Sequence, residues 1–147
     1  MIRELNKNDK EIFITMVNDF YHSEAVMHGI PLEYIEKSFQ EIVSNSPFIK
    51  TFIIEEEGQP AGYALLSYTY SNEAGGLVVL VEELYIDEIY RGLGLGSKLL
   101  DYIHKEYADK AMRFRLEIMK TNESAKRLYI RKGYEVLEYE QMIHDKK

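Results

Sequence analysis

Two glutamates, Glu82 and Glu83, interrupt an otherwise apolar run from Leu77 to Ile86, and the stretch Arg91-Gly92-Leu93-Gly94-Leu95-Gly96-Ser97 follows shortly after. Glycine at every second position frees the backbone for positive φ and lets another group approach it closely. A helix that begins near Gly94 would present its first amides unpaired, and its dipole adds partial positive charge there. The pattern suits a phosphate cradle, to which Arg91 adds a forked cation. It is not a dinucleotide fingerprint, because the third position of G-x-G-x-x-G falls on Ser97, and G-x-x-x-x-G-K-[ST] is absent. The alternative is a glycine-rich turn that merely joins strand to helix.

A second block runs from Asn122 to Tyr134. Ala125, Leu128 and Tyr129 form an i, i+3, i+4 stripe on one helix face. Tyr129 reads either as a core tyrosine or as a phenol with a chemical role. Thr121 or Asn122 caps that helix, and Gly133 stops it.

These residues need a scaffold, and the periodicities supply one. Ile2 to Leu5 reads as a short strand, and Asn8 or Asp9 as the cap of the helix that follows. Ile12, Phe13, Met16, Val17 and Phe20 recur at helical spacing, as do Leu32, Ile35, Phe39 and Ile42 after Gly29-Ile30-Pro31. Thr51 to Glu57 and Ala61 to Tyr70 read as a hairpin turning at Gly58-Gln59-Pro60. Leu77 to Ile86 is a third strand, in which neighbouring side chains should face opposite ways, so that only one of Glu82 and Glu83 reaches a given site. Leu95, Leu99, Ile103 and Tyr107 step by four along the next helix. Arg113 to Met119 is a strand with Phe114, Leu116 and Ile118 on one side, and residues 134–143 predict one or two closing strands. Read from the residues alone, this is an α+β domain with a mixed sheet of unsettled connectivity.

Composition narrows the function. A chain of 147 residues, 46% of them hydrophobic, builds one core, so residues 1–147 read as one domain. No window approaches a membrane span, and Arg3, Glu4, Lys7, Asp9 and Lys10 break up any signal-peptide core, which points to the cytoplasm. The absence of cysteine excludes a disulfide framework, a cysteine metal site and a cysteine nucleophile. The histidines show no metal spacing, and no metal is expected. A net charge of −7 argues against nucleic acid as a partner. The same field would steer a cationic acceptor, or it serves solubility alone.

Taken together, R-G-x-G-x-G behind a strand with two glutamates and N-x-x-A-x-x-x-Y-x-x-x-G-[FY] downstream resemble the GNAT (Gcn5-related N-acetyltransferase) superfamily over nearly the whole chain. The resemblance implies an α+β fold whose mixed central sheet is flanked by about four helices, in the order β-α-α-β-β-β-α-β-α-β. It also implies acetyl-CoA as cosubstrate, transfer to an amine through a ternary complex, and homodimerisation as a family habit.

The resemblance assigns roles residue by residue. Arg91, Gly92, Leu93, Gly94, Leu95, Gly96 and Ser97 would hold the pyrophosphate. A β-bulge in the strand would splay it, so that backbone groups of Leu84 and Ile86, flanking Tyr85, meet the pantetheine amides, with an oxyanion-binding amide near Leu84. Glu82 lies nine residues before Arg91, where the spermidine/spermine acetyltransferase branch carries its proton acceptor; Glu83 is the alternative base. Alternatively, both are ordinary polar residues on a partly exposed strand. Tyr129 would stand near the CoA sulfur as general acid, and Asn122 would contact the pantetheine or phosphate arm while also capping its helix. Tyr21 and Glu24, together with His22 and His28, lie in the connection that would wall the acceptor pocket with Glu82 and Glu83; otherwise they are a solvated loop. The expected acceptor is a small amine or polyamine, with a protein or peptide amine as the alternative. The rival of another class is a catalytically silent acetyl-CoA sensor.

Overall fold

The computed structural model describes residues 1–146. Five strands form one sheet in sequence order: β1 (Ile2–Glu4), β2 (Ile49–Glu56), β3 (Gln59–Ser71), β4 (Gly76–Ile86) and β5 (Ala111–Leu116). The first three pairings are antiparallel, and β4 with β5 is parallel, which requires the crossover made by helix α3 (Leu95–Glu106). Helices α1 (Lys10–Phe20) and α2 (Leu32–Val43) precede β2, and α4 (Glu123–Arg131) follows β5. The mixed sheet and its four helices match the α+β architecture expected from the sequence.

Two apolar layers sandwich the sheet. Phe13, Met16, Val17 and Phe20 of α1 and Ile35, Phe39 and Ile42 of α2 pack against Ile53, Tyr63, Leu65 and Tyr85. On the opposite face, Leu95, Leu99, Ile103 and Tyr107 pack on Phe52, Ala64, Leu66, Val79 and Val81. Adjacent residues of β2, β3 and β4 thus serve opposite layers, as strand alternation demands. No helix among the described residues is long and apolar enough to cross a membrane.

Three local expectations are corrected. Asp9 holds the N-terminal position of α1, as expected, but its side chain caps no α1 amide; Asn6 caps the 3-10 turn Lys7–Asp9 just before it, its side chain accepting from the Asn8 amide, while Asp9 accepts from the Asn6 amide and pairs with Arg3 at 2.8 Å. The hairpin turns at Glu57 and Gly58, both at positive φ, and β3 already begins at Gln59. No closing strand forms: residues 135–146 join no ladder, and Val136, Tyr139 and Met142 are exposed. Tyr134 is drawn instead to His104 on α3, and side chains tether the segment beyond, Tyr139 to Glu73 and Gln141 to Glu117.

Leu99 is fully buried between α3 and the sheet. Leu99→Ala should lower stability by about 2–5 kcal/mol, read as a lower urea midpoint with an unchanged slope.

Candidate active site

The β3–β4 ladder slips by one residue. Leu65 pairs with Glu83 and Leu66 with Val81, which leaves Glu82 without a partner on β3. This two-against-one arrangement is a β-bulge, and it reverses the parity of every side chain beyond it. Val81 faces α3, while Glu83 and Tyr85 face α1 and α2. Glu82 shares that second face, because its Oε1 accepts a 2.6 Å hydrogen bond from Ser67, and Ser67 alternates with Leu65 of the α1/α2 layer. The alternation expected from sequence, which sends the two glutamates apart, is therefore corrected: the bulge brings both to one side.

Their surroundings differ. Glu83 is 9% exposed, and each of its oxygens accepts from a phenol, Tyr21 at 2.6 Å and Tyr63 at 2.7 Å. Burial pushes its pKa up, the two phenols pull it back in part, and the nearby charge of Glu82 adds to the rise. Both phenols are held well above the ordinary tyrosine range, first by burial and then by the Glu83 charge. Glu82 is exposed and holds only the Ser67 hydroxyl. A third carboxylate, Asp19 of α1, accepts from Tyr85 at 3.2 Å, and burial, followed by Asp87 and Asp19, lifts that phenol to about 12. Among the described residues no Lys or Arg forms an ion pair with Asp19, Glu82 or Glu83. The face thus carries carboxylates with no ion-pair partner among the described residues, and its field attracts positive charge.

Sequence reasoning missed Asp19, Tyr63 and Ser67. Asp19 gave one signal, a charge just before the end of an apolar helix stripe. Tyr63 and Ser67 gave none, because only the slipped register brings them to the glutamates. Of the connection after α1, Tyr21 reaches the site; Glu24 is exposed and makes no side-chain hydrogen bond among the described residues, and His22 and His28 turn Nδ1 to the carbonyls of Asn18 and Gly29.

The other edge of β4 opens at the same level. Its parallel ladder with β5 ends at Val81–Leu116, whereas its pairing with β3 continues to Ile86. The Asp87 amide bonds the Ala61 carbonyl at 2.8 Å, so Tyr85 also turns its peptide groups to β3, and Leu84 and Ile86 turn theirs to the open edge. Arg91 Nε donates to the Ile86 carbonyl at 3.0 Å, which occupies one of these groups. Gly94 stands at φ 75° as the N-terminal residue before α3, with no side-chain cap. The first helical bond is Lys98 to the Gly94 carbonyl at 3.1 Å, so the amides of Leu95, Gly96 and Ser97 lack helical acceptors. The Leu95 side chain is buried in the core and that of Leu93 is exposed. A Cβ placed on Gly96 would stand 3.5 Å from Leu128, so α4 packs beside this turn.

Asn122 caps α4, its Oδ1 accepting from the Ala125 amide at 3.3 Å. Tyr129 lies on the α3 side of the sheet, its ring 5.8 Å from that of Tyr134 and its pKa lifted to about 12 by burial. Glu82 and Tyr129 therefore lie on opposite faces of the sheet.

The sequence matches the acetyltransferase (GNAT) family over residues 14–134. It is 27% identical over 138 residues to the thialysine N-epsilon-acetyltransferase of Sus scrofa, covering 88% of this chain and 80% of the relative. It is 33% identical over 112 residues to the spermine/spermidine N(1)-acetyltransferase of Bacillus subtilis, covering 71% and 72%. The fold superposes on a possible acetyltransferase from Clostridium difficile 630 with TM-score 0.83 at 19% identity, over 100% of this chain and 97% of that one. It also superposes on an aminoglycoside N-acetyltransferase in complex with CoA, with TM-score 0.77 at 19% identity over 100% and 93%. With the match spanning most of the sequence and the sheet split at β4, the chain belongs to the acetyltransferase (GNAT) family and is an acyltransferase.

Proposed function

We propose that this enzyme transfers the acetyl group of acetyl-CoA directly to a primary amine, with a small amine or polyamine as acceptor. The observation that carries the reading is the pair of carboxylates turned to one face by the bulge, beside the opened edge of β4. The relatives named for thialysine and for spermine and spermidine support the same acceptor chemistry.

The residues divide the work. The free amides of Leu95, Gly96 and Ser97, with Arg91, hold the pyrophosphate. The Leu84 and Ile86 peptide edge takes the pantetheine amides, and a backbone amide near Leu84 holds the oxyanion. An alkyl ammonium has a pKa near ~10.4 and must lose a proton before attack. Glu82 accepts it, because Glu83 already has both oxygens bonded to phenols. Glu83, Tyr21 and Asp19 bind and orient the cation. The amine nitrogen then bonds to the acetyl carbon, the carbon–sulfur bond breaks, and Tyr129 supplies a proton to the departing thiolate. With its pKa lifted to about 12 by burial, that phenol, like any tyrosine, carries its proton at neutral pH.

Gly94→Glu puts a side chain at a positive-φ position and a carboxylate into the cradle, so acetyl-CoA binding by calorimetry should be lost; retained affinity removes the cradle assignment. Glu82→Gln should lower kcat about 10²-fold near pH 7 and recover as pH rises towards the amine pKa, where the acceptor is already neutral. An unchanged pH profile gives the proton to Glu83 or water. Tyr129→Phe should lower kcat about tenfold or more with the acetyl-CoA Kd unchanged, and a fall in Tm alone makes it a core tyrosine.

A further inference from the structure

The Tyr129 hydroxyl has no hydrogen-bond partner among the described residues, so neighbouring groups must set its direction. The neighbour in ring contact is Tyr134, and two features fix that ring. The first is the end of α4. Gly133 adopts φ 92°, the Gly133 amide bonds the Ile130 carbonyl, and the Tyr134 amide bonds the Tyr129 carbonyl at 3.0 Å. This pair of bonds folds the residue after the glycine back against the last turn, which places Tyr134 on Tyr129. The second is His104 on α3. Its Nε2 lies 2.9 Å from the Tyr134 hydroxyl, and its ring meets Phe114 of β5 edge-on at 4.7 Å. An ion pair of 2.9 Å between Lys132 and Asp101 ties the same two helices.

From this chain of contacts we infer that His104 is a positioning residue for acyl transfer: by holding the Tyr134 hydroxyl it fixes the ring on which Tyr129 packs, and so aims the Tyr129 hydroxyl. The inference rests on Tyr129 being the general acid. An apolar side chain would fill the place of His104 without the cost of burying a polar ring, so what the imidazole adds is direction. Burial lowers the pKa of that imidazole, with Asp101 raising it and Lys132 lowering it, a direction that favours the neutral ring.

The test combines His104→Phe, Tyr134→Phe and the double variant, each in the wild-type and the Tyr129→Phe background, with CoA release from acetyl-CoA and spermidine as the assay. His104→Phe and Tyr134→Phe should each lower kcat about threefold to tenfold, with the acetyl-CoA Kd within about twofold, and the double variant should be no slower than either. Neither should slow Tyr129→Phe further, and His104→Gln, which retains a hydrogen-bonding group, should restore most of the rate. Additive losses, or equal slowing with and without the Tyr129 hydroxyl, overturn the inference. If Tyr129→Phe is slow while His104→Phe is not, the positioning role alone falls; if Tyr129→Phe is as fast as wild type, the general-acid reading falls with it. A readout without turnover is the 13C resonance of Tyr129 in tyrosine-labelled protein, identified by its loss in Tyr129→Phe. It should move in His104→Phe, and an unmoved resonance refutes the coupling.

Discussion

The one-residue slip between β3 and β4 is the constraint on which the rest of the site depends. Side chains on a strand repeat every second residue, so an extra residue exchanges the two faces for everything after it. Without the slip, the parity of Val79 and Val81 would carry Glu83 and Tyr85 to the α3 layer. Glu83 would then be buried among aliphatic side chains without Tyr21 and Tyr63, and Tyr85 would lose Asp19. A buried, unpaired carboxylate costs several kcal/mol or gives up its charge. With the slip, the same residues close a network in which both Glu83 oxygens are bonded.

The slip also separates the two glutamates by environment rather than by face. Glu83 is enclosed and satisfied, and Glu82, the extra residue itself, is open to solvent with a single hydroxyl partner. Neighbouring carboxylates on one side would repel if both were buried; exposure of one lets water screen it. At the same level β5 parts from β4, so one edge of β4 keeps its ladder and the other presents the peptide groups of Leu84 and Ile86. An unpaired edge inside a protein needs a partner, and a ligand with amides of its own provides one.

The two faces of the sheet contribute different halves of the site. The α1/α2 face carries negative charge and phenols, set by the end of α1 and its connection. The α3/α4 face carries the glycine turn, the free helix amides and Tyr129, whose ring contacts Tyr134, itself bonded to His104, and whose hydroxyl has no partner among the described residues. In the proposed reaction neither face holds all the groups that acyl transfer requires, and the split in the sheet is the opening through which the two would act together.

Much of this was legible in the sequence, wherever a signal is local. The stripe Leu95, Leu99, Ile103 and Tyr107 is buried throughout, because a helix repeats every 3.6 residues whatever it packs against. Gly94 and Gly133 sit at positive φ beside their helices, which a single residue type decides. Leu84 and Ile86 present their backbones to the opened edge expected from the motif. Pairing was not legible. Whether Glu82 and Glu83 part or converge depends on which β3 residue each opposes, and Asp19, Tyr63 and Ser67 became partners only through that register. The segment after Tyr134 has the residue types of a strand, yet it forms none, because a ladder needs a neighbouring backbone, and here Tyr134 is held by His104 and the rest by side chains. Sequence by itself determined most of the elements and the glycine turn before α3, since those follow from periods and dihedral angles within the chain. Tertiary structure alone decided which side chains meet, because a one-residue shift in register alters every contact and leaves the local pattern unchanged.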